Sequence, residues 1–280
     1  MNIEKAIKKA FQNLIKKKNE SALLDSEILM SKVLRKDRKF LIMNSNEEIT
    51  DNDYKNFRKL IASRLKKKPI AYLTGTKSFW KYDFIINEKV LIPRPETEIL
   101  IEQVLKNYKN KENINFLEIG TGSGCIILSI LKEKKSFLGK GVDVSIDSLK
   151  VCNANANKLG VSSRLKLFKS DIDNFLLGKY DLIISNPPYI KNLDLKNLDD
   201  GVAKYEPKKA LDGGLDGLSE IRKVIKKSSE LVKNHGKLIL EISHDQKDEV
   251  KKILISYNFY INKIVKDFAK KDRCIISTKI

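Results

Sequence analysis

The sequence is poor in the residues that build disulfide frameworks and metal centres. Among its 280 residues it has three cysteines, Cys125, Cys152 and Cys274, which are widely spaced. An odd number of scattered cysteines indicates neither a disulfide framework nor a zinc site. The two histidines, His235 and His244, are too few for a histidine-based metal centre. We therefore predict no metal and a reducing, cytoplasmic environment.

Long apolar runs are also missing. No stretch approaches the roughly 18 uninterrupted apolar residues of a membrane span. The start of the chain, residues 1–7, is amphipathic and lacks the apolar core of a secretory signal. We expect no membrane attachment. The 41% hydrophobic content is enough for a packed core, and the length suggests one large or two modest domains.

Acidic residues are outnumbered, with 36 against 55 lysines and arginines, for a net charge of +19. One interpretation is an acidic partner such as RNA or an acidic protein. The other is compositional, because lysine is used throughout the chain, including runs at 16–18 and 66–68 that look like solvated helix ends. The charge is compatible with a nucleic-acid-associated partner, but we do not expect the function to require direct nucleic-acid binding.

The hydrophobic pattern divides the chain into three parts. Residues 1–70 show apolar stripes at helical spacing and predict a small helical bundle for substrate or partner docking. Residues 71–95, rich in aromatics and proline, predict a hairpin or extended connector. Strands and helices alternate over residues 96–280, which predicts an α/β domain with a mostly parallel, doubly wound sheet. The expected strands are 115–119, one ending near 144, 165–168, 181–185, 237–242, 259–265 and 274–277.

A glycine loop, Gly120-Thr121-Gly122-Ser123-Gly124, follows the first of these strands and opens a helix. Glycines let a backbone approach a ligand closely. A dinucleotide-binding G-x-G-x-x-G would need glycine at position 125, which is a cysteine, and no Gly-Lys-Ser/Thr follows as in a phosphate loop. The spacing is similar to the loop that holds the amino-acid end of S-adenosylmethionine (SAM).

Two aspartates follow the next two strands. Asp143 ends the second strand, where a carboxylate can accept hydrogen bonds from both hydroxyls of a ribose. Asp171 follows the third strand and is placed to accept from an adenine amino group. Either aspartate alone would more often be a turn former. Their order after the glycine loop is what favours a cofactor site.

The sequence Asn186-Pro187-Pro188-Tyr189 directly follows the apolar strand 182–185. Open α/β folds place ligands at this carboxyl edge. Two prolines fix the backbone and remove two donors, so carbonyl oxygens dominate the turn. We expect Asn186 and the Pro187 carbonyl to hold a planar –NH2 group while Tyr189 packs against its plane. Asn186 would also border the cofactor. These residues alone do not choose a side-chain amide over the amine of a base.

This order of motifs resembles the class I SAM-dependent methyltransferases. Further segments narrow the resemblance to the peptide chain release factor N5-glutamine methyltransferases, the PrmC or HemK family. These segments are 69–75, 79–80, 91–98, 205–207, 210–214 and 216–218. The resemblance implies a Rossmann-like, seven-stranded mostly parallel sheet with a small N-terminal helical domain. It also implies methyl transfer from SAM to the glutamine of the Gly-Gly-Gln motif in class 1 release factors.

Two positions depart from the pattern of that family, and two further residues have alternative interpretations. Ile172 stands where the family often has a large aromatic, which predicts aliphatic packing against the adenine, and Ser243 replaces a usual glycine. Arg94 and Glu98 either close over the cofactor or form an ion pair in the connector.

Three alternative functions remain at this stage. A sister enzyme methylates a glutamine of a ribosomal protein, and N6-adenine methyltransferases of DNA or RNA use related chemistry. Such nucleic-acid enzymes flip their base and usually carry a separate recognition domain, which is not evident here. The third alternative is a non-catalytic module that binds SAM or a release factor.

Overall fold

The computed structural model describes residues 1–280 and divides into two compact units. The helical unit comprises Met1–Thr76 together with Asp199–Tyr205. Its helices are α1 (Ile3–Ile15), α2 (Ala22–Leu34), α3 (Arg38–Met43), α4 (Asp51–Leu65), α5 (Ile70–Thr74) and α9 (Asp200–Tyr205). The apolar stripes of residues 1–70 predict α1, α2 and α4, whereas the shorter helices carry no repeated apolar stripe.

Capping side chains and apolar stripes explain the longer helices of this unit. Asn2 accepts from the backbone N–H of Lys5 at 2.9 Å and starts α1, and Thr50 starts α4 in the same way. The apolar stripes meet in one buried cluster that includes Ile3, Leu29 and Phe57. The helical unit therefore has a hydrophobic core of its own.

The second unit, called the sheet unit below, comprises Lys77–Leu198 and Glu206–Ile280. A hairpin of β1 (Thr76–Phe79) and β2 (Tyr82–Ile85) precedes the main sheet. The sheet strands are β3 (Asn115–Ile119), β4 (Leu138–Asp143), β5 (Leu165–Lys169), β6 (Tyr180–Ser185), β7 (Val232–Glu241), β8 (Phe259–Lys266) and β9 (Asp272–Lys279). The helices are α6 (Glu98–Asn107), α7 (Cys125–Glu133), α8 (Ile146–Leu159), α10 (Ser219–Leu231) and α11 (Lys247–Ser256).

The seven strands lie in the order β5-β4-β3-β6-β7-β9-β8. The first five in this order are parallel, and β9 runs antiparallel to both of its neighbours. The predicted seven-stranded, mostly parallel sheet is confirmed. The chain continues from β3 to β4, which pairs with one side of β3. The later strand β6 pairs with the other side of β3. This reversal creates the crevice at the carboxyl ends of strands where such folds bind ligands.

The hairpin is held in the sheet unit by the buried side chain of Asn155 on α8. Its amide pairs with the backbone of Ile85, accepting from the N–H at 2.7 Å and donating to the carbonyl at 2.9 Å. It also donates to the carbonyl of Ser123 in the glycine loop at 2.9 Å. One side chain thus ties the hairpin to the loop.

The unit boundaries differ from the sequence-based ones in two places. Residues from Lys77 onward group with the sheet unit, and the segment Asp199–Tyr205 groups with the helical unit. The two hydrogen bonds between the hairpin residue Ile85 and Asn155 on α8 explain the first difference. The division into docking, connector and transferase parts stays a prediction. None of the helices has the length and apolar content needed to cross a membrane.

Candidate active site

A cavity of about 480 Å³ opens at the carboxyl ends of β3, β4, β5 and β6. Its size lies within the range of roughly 300–1,000 Å³ that is usual for small-molecule sites. Seven of the residues expected from the sequence line it: Gly120, Gly122, Asp143, Asp171, Asn186, Pro187 and Pro188. The structure therefore brings together motifs that are up to 68 residues apart in the chain.

The glycine loop contributes its backbone to the cavity. Gly120 and Gly122 have φ angles of +78° and +55°, in the region that favours glycine. Gly124 begins α7 with a φ of +80°, and a Cβ there would lie 2.5 Å from the sulfur of Cys152. Thr121 and Ser123, the other two residues between these glycines, are buried. Of the five predicted loop residues, Gly120 and Gly122 line the cavity and the other three shape the loop.

Asp143 is positioned by two backbone donors. Its carboxylate accepts from the N–H of Gly122 and from the N–H of Ser145, each at 2.8 Å. Burial raises the pKa of this carboxyl, and the two hydrogen bonds oppose that effect. Since each carboxylate oxygen can accept more than one hydrogen bond, Asp143 keeps acceptor capacity towards the cavity.

Asp171 lies at the cavity but is more exposed than Asp143. One of its oxygens accepts from the N–H of Asp173 at 3.0 Å and caps a short 3-10 turn. Ile172 next to it is 7% exposed and belongs to the main hydrophobic cluster. Asp171 therefore both forms a turn and lines the cavity.

Asn186 borders the same cavity one residue after β6. Its side-chain nitrogen donates to the hydroxyl oxygen of Thr97 at 3.1 Å. That bond places the amide nitrogen on the Thr97 side and leaves the carbonyl oxygen of the amide as an acceptor for a ligand.

Tyr189 does not line the cavity. Its ring packs against the main hydrophobic cluster, and its hydroxyl donates to Glu241 at 3.4 Å. Burial and the neighbouring Glu241 carboxylate raise the pKa of the tyrosine hydroxyl. The expected packing of Tyr189 on a substrate amide stays a prediction, while its contact with Glu241 is a second, structural role.

Arg94 and Glu98 have protein partners. Arg94 donates to the carboxylate of Glu206 at 2.6 Å, and Glu206 also accepts from the backbone N–H of Ile92 at 3.1 Å. Glu98 accepts from the backbone N–H of Trp80 at 2.6 Å. The geometry favours the ion-pair interpretation for Arg94 and a hairpin-anchoring role for Glu98.

Comparison with known proteins now adds to this geometry. The family model described as the PrmC N-terminal domain matches residues 5–75, and the methyltransferase small domain matches residues 95–200. A release factor glutamine methyltransferase of Clostridium acetobutylicum is 38% identical over 282 residues, covering 100% of this chain and 99% of the relative. The chain belongs to the release factor glutamine methyltransferase family.

Other relatives are longer or more distant. A bifunctional methyltransferase of Rickettsia typhi is 34% identical over 293 residues, and the match covers 96% of this chain but 57% of that protein. A methyltransferase structure from Pyrococcus furiosus has a TM-score of 0.52 at 18% identity, covering 70% of this chain and 88% of the other. The structural likeness confirms the class I methyltransferase fold expected of this family.

Sequence reasoning missed three buried polar residues of the site. They are Thr97, Glu206 and Glu241, which are 3%, 6% and 1% exposed. Glu241 carried a usable signal, because it is an acid at the carboxyl end of an apolar strand, as Asp143 is. Side chains of His, Cys, Asp and Glu form no group of three or more that could hold a metal ion, and the absence of a metal stays a prediction.

Proposed function

We propose that this protein transfers a methyl group from SAM to the side-chain amide nitrogen of the glutamine in the Gly-Gly-Gln motif of class 1 release factors. The full-length match to a release factor glutamine methyltransferase supports the reaction and the substrate class. The observation that carries the chemistry is Asn186, whose carbonyl oxygen is left as an acceptor at the cavity because its nitrogen is bound to Thr97. A carbonyl in this position suits a substrate –NH2 group.

The cavity residues fit the parts of SAM. We assign the amino-acid end to the backbone of Gly120 and Gly122, and the ribose hydroxyls to Asp143. Asp171 would accept from the adenine amino group, and the aliphatic side chain of Ile172 would pack on the adenine ring. The fit rests on Asp143, which is fixed by two backbone N–H groups and keeps acceptor capacity towards the cavity.

When bound, SAM supplies a methyl group on a positively charged sulfur, and the carbon–sulfur bond breaks with its electron pair staying on sulfur. The residues of the chain supply position and electrostatics. Asn186 and the carbonyl of Pro187 accept the two amide N–H bonds of the glutamine. The nitrogen lone pair then faces the methyl carbon, and one amide proton is released to solvent after the new nitrogen–carbon bond has formed.

The same two carbonyls bind the transition state more tightly than the ground state. Positive charge develops on the attacking nitrogen, and the oxygens of Asn186 and Pro187 point at its hydrogens. Tyr189 packs beside the substrate amide in this proposal. No step needs a metal or a nucleic acid, and we place the reaction in the cytoplasm, with the helical unit docking the release factor.

The test is incubation with methyl-labelled SAM and a purified release factor, either wild type or with Gly-Gly-Gln changed to Gly-Gly-Ala. We expect label on the wild-type release factor alone. Parallel reactions with ribosomal protein, DNA and RNA cover the alternative acceptors. Label in one of those reactions and none on the release factor would contradict the proposal.

A further inference from the structure

The turn Asn186–Tyr189 is held at both of its ends by other parts of the sheet unit. Its first residue directly follows β6, which pairs with β3 and β7. Its last residue, Tyr189, has a backbone carbonyl that accepts from the side-chain Nε2 of Gln246 at 3.1 Å. The two prolines between these ends have no backbone N–H with which to hold the turn. Contacts from other segments therefore matter more here than in an ordinary turn.

Gln246 has every polar group of its side chain engaged. It is 3% exposed and directly precedes α11. Its Nε2 donates to the carbonyls of Tyr189 at 3.1 Å and Gly217 at 3.0 Å, and its Oε1 accepts from the N–H of Ser243 at 3.1 Å. A flipped amide would place its oxygen against two carbonyl oxygens, so a single orientation satisfies all three partners. Because β7 pairs with β6, the chain leaving β7 brings Gln246 beside the turn.

The loop 211–217 is the third segment that meets at Gln246. Ile190, directly after the turn, forms two backbone hydrogen bonds with this loop, at 3.1 Å and 2.8 Å. The loop comes so close that a Cβ on Gly217 would lie 2.5 Å from the Tyr189 carbonyl oxygen and 2.7 Å from Nε2 of Gln246. Gly217 also has a φ of +76°, in the region that favours glycine. Gln246 thus joins the turn, this loop and the chain that follows β7.

We propose that Gln246 is a positioning residue that fixes the turn so that the Pro187 carbonyl faces the substrate amide. The inference rests on the proposed function, in which this carbonyl accepts one amide N–H of the substrate glutamine. The ring of Pro188 locks one of the backbone torsions between the Pro187 and Tyr189 carbonyls, so this stretch is stiffer than an ordinary dipeptide. Holding the Tyr189 carbonyl therefore restricts the Pro187 carbonyl. Gln246 acts through the backbone and does not itself line the cavity.

The first test replaces Gln246 with methionine, which keeps an unbranched side chain but has no amide. Lys134→Met is the matched control. The Nζ of Lys134 also bridges two backbone carbonyls, those of Tyr108 and Lys109 at 2.8 Å each, but it lies directly after α7, at the end away from the glycine loop. Methyl transfer is measured against release factor concentration at saturating SAM, the Kd for SAM by calorimetry, and folding by thermal unfolding.

We expect Gln246→Met to lower kcat about 10–100-fold, because a misplacement of about 1 Å at the reacting groups has effects of this size. The KM for the release factor and the Kd for SAM should stay within about twofold of wild type, as for a residue that acts only on the transition state. Lys134→Met should keep the wild-type kcat even where it lowers the Tm. A residue needed only for stability would not produce this separation of kcat from KM.

Gly217→Ala disturbs the same contact without changing Gln246. Its Cβ would press on the Tyr189 carbonyl and on the Gln246 nitrogen. Gly160→Ala is the control, because its φ is +67° and no atom lies within 4 Å of the added Cβ. We expect Gly217→Ala, but not Gly160→Ala, to lose kcat. The double variant of Gly217→Ala with Gln246→Met should lose less than the product of the two single losses, because both changes act on one contact.

Two results would overturn the inference while leaving the proposed function in place. One is that Gln246→Met and Gly217→Ala both keep kcat within about twofold of wild type. The other is that their losses come from a weaker affinity for SAM or from a smaller folded fraction. If Gln246→Met does not fold, the comparison of Gly217→Ala with Gly160→Ala decides alone. If the wild-type protein labels no release factor, the proposed function fails and the inference fails with it, so the two failures can be told apart.

Discussion

The two halves of the cavity are built in different ways. On the side proposed for the cofactor, the Asp143 carboxylate accepts from the backbone N–H of Gly122, and the two residues follow adjacent strands. On the side proposed for the substrate, the Asn186 side chain is held by a hydrogen bond to Thr97, which is 89 residues away in the chain. The cofactor half therefore depends on loop conformation, and the substrate half depends on side chains from distant segments.

The largest effect that separates the halves is expected from Asn186→Ala. Removing one preorganised group that stabilises developing charge costs about 10²–10³ in rate, by analogy with oxyanion holes. We expect that loss in kcat, with SAM affinity within about twofold of wild type, because Asn186 acts on the substrate amide. Single-turnover methyl transfer and calorimetry measure the two quantities. Asn107→Ala, at the end of α6, is the control, and a rate loss below tenfold would contradict the assignment.

On the cofactor side, we expect substitutions of the loop glycines to act through strain in the backbone and to lower the free energy of unfolding. Gly124→Ala places a Cβ 2.5 Å from the Cys152 sulfur at a φ of +80°, whereas Gly122→Ala meets open space at +55°. Left-handed strain and overpacking together should cost Gly124→Ala about 3 kcal/mol of unfolding free energy, against about 1 kcal/mol of strain for Gly122→Ala. Urea unfolding of both variants measures the difference. Equal losses would show that Cys152 moves away at little cost.

Asp143→Ala should weaken SAM binding while leaving the substrate half intact. Loss of hydrogen bonds to a charged group costs about 1.5–3 kcal/mol, so the Kd for SAM should rise about 10–100-fold. At saturating SAM, kcat should stay near the wild-type value. The control is Asp147→Ala on α8, which removes a half-exposed carboxylate paired with Lys150 at 3.5 Å. An unchanged Kd for Asp143→Ala would contradict the assignment of this residue to the cofactor site.

The last prediction concerns Glu241 and the pH dependence of stability. Its pKa rises from 4.5 to about 7 on folding, mainly through burial. The folded state therefore holds the proton more tightly, and this contribution is present below about pH 4.5 and lost as the pH rises through 7. The free energy of unfolding of wild type relative to Glu241→Gln should fall by about 2 kcal/mol between pH 5 and pH 8. Denaturant unfolding at both pH values measures it, and a pH-independent difference would contradict the raised pKa.

The difference between the two sides of the cavity also explains which site residues can be predicted from the sequence. Asp143, Asp171 and Asn186 each follow an apolar strand, and parallel strands bring their carboxyl ends to one edge, so their meeting could be foreseen. The position of Thr97 opposite Asn186 depends on how the segment before α6 crosses that edge, which no local periodicity encodes. Tyr189 shows the same limit, because its place in the motif indicates a substrate contact but its hydroxyl lies on Glu241.

The most direct test of the central claim is to locate the transferred methyl group. A release factor incubated with this protein and SAM is digested, and the peptide with the Gly-Gly-Gln motif is fragmented in a mass spectrometer. The account predicts one added methyl group on the glutamine side-chain amide, absent when Asn186→Ala replaces the wild-type enzyme. A methyl group on another residue, or an unmodified peptide while a ribosomal protein or nucleic acid is methylated, would contradict it.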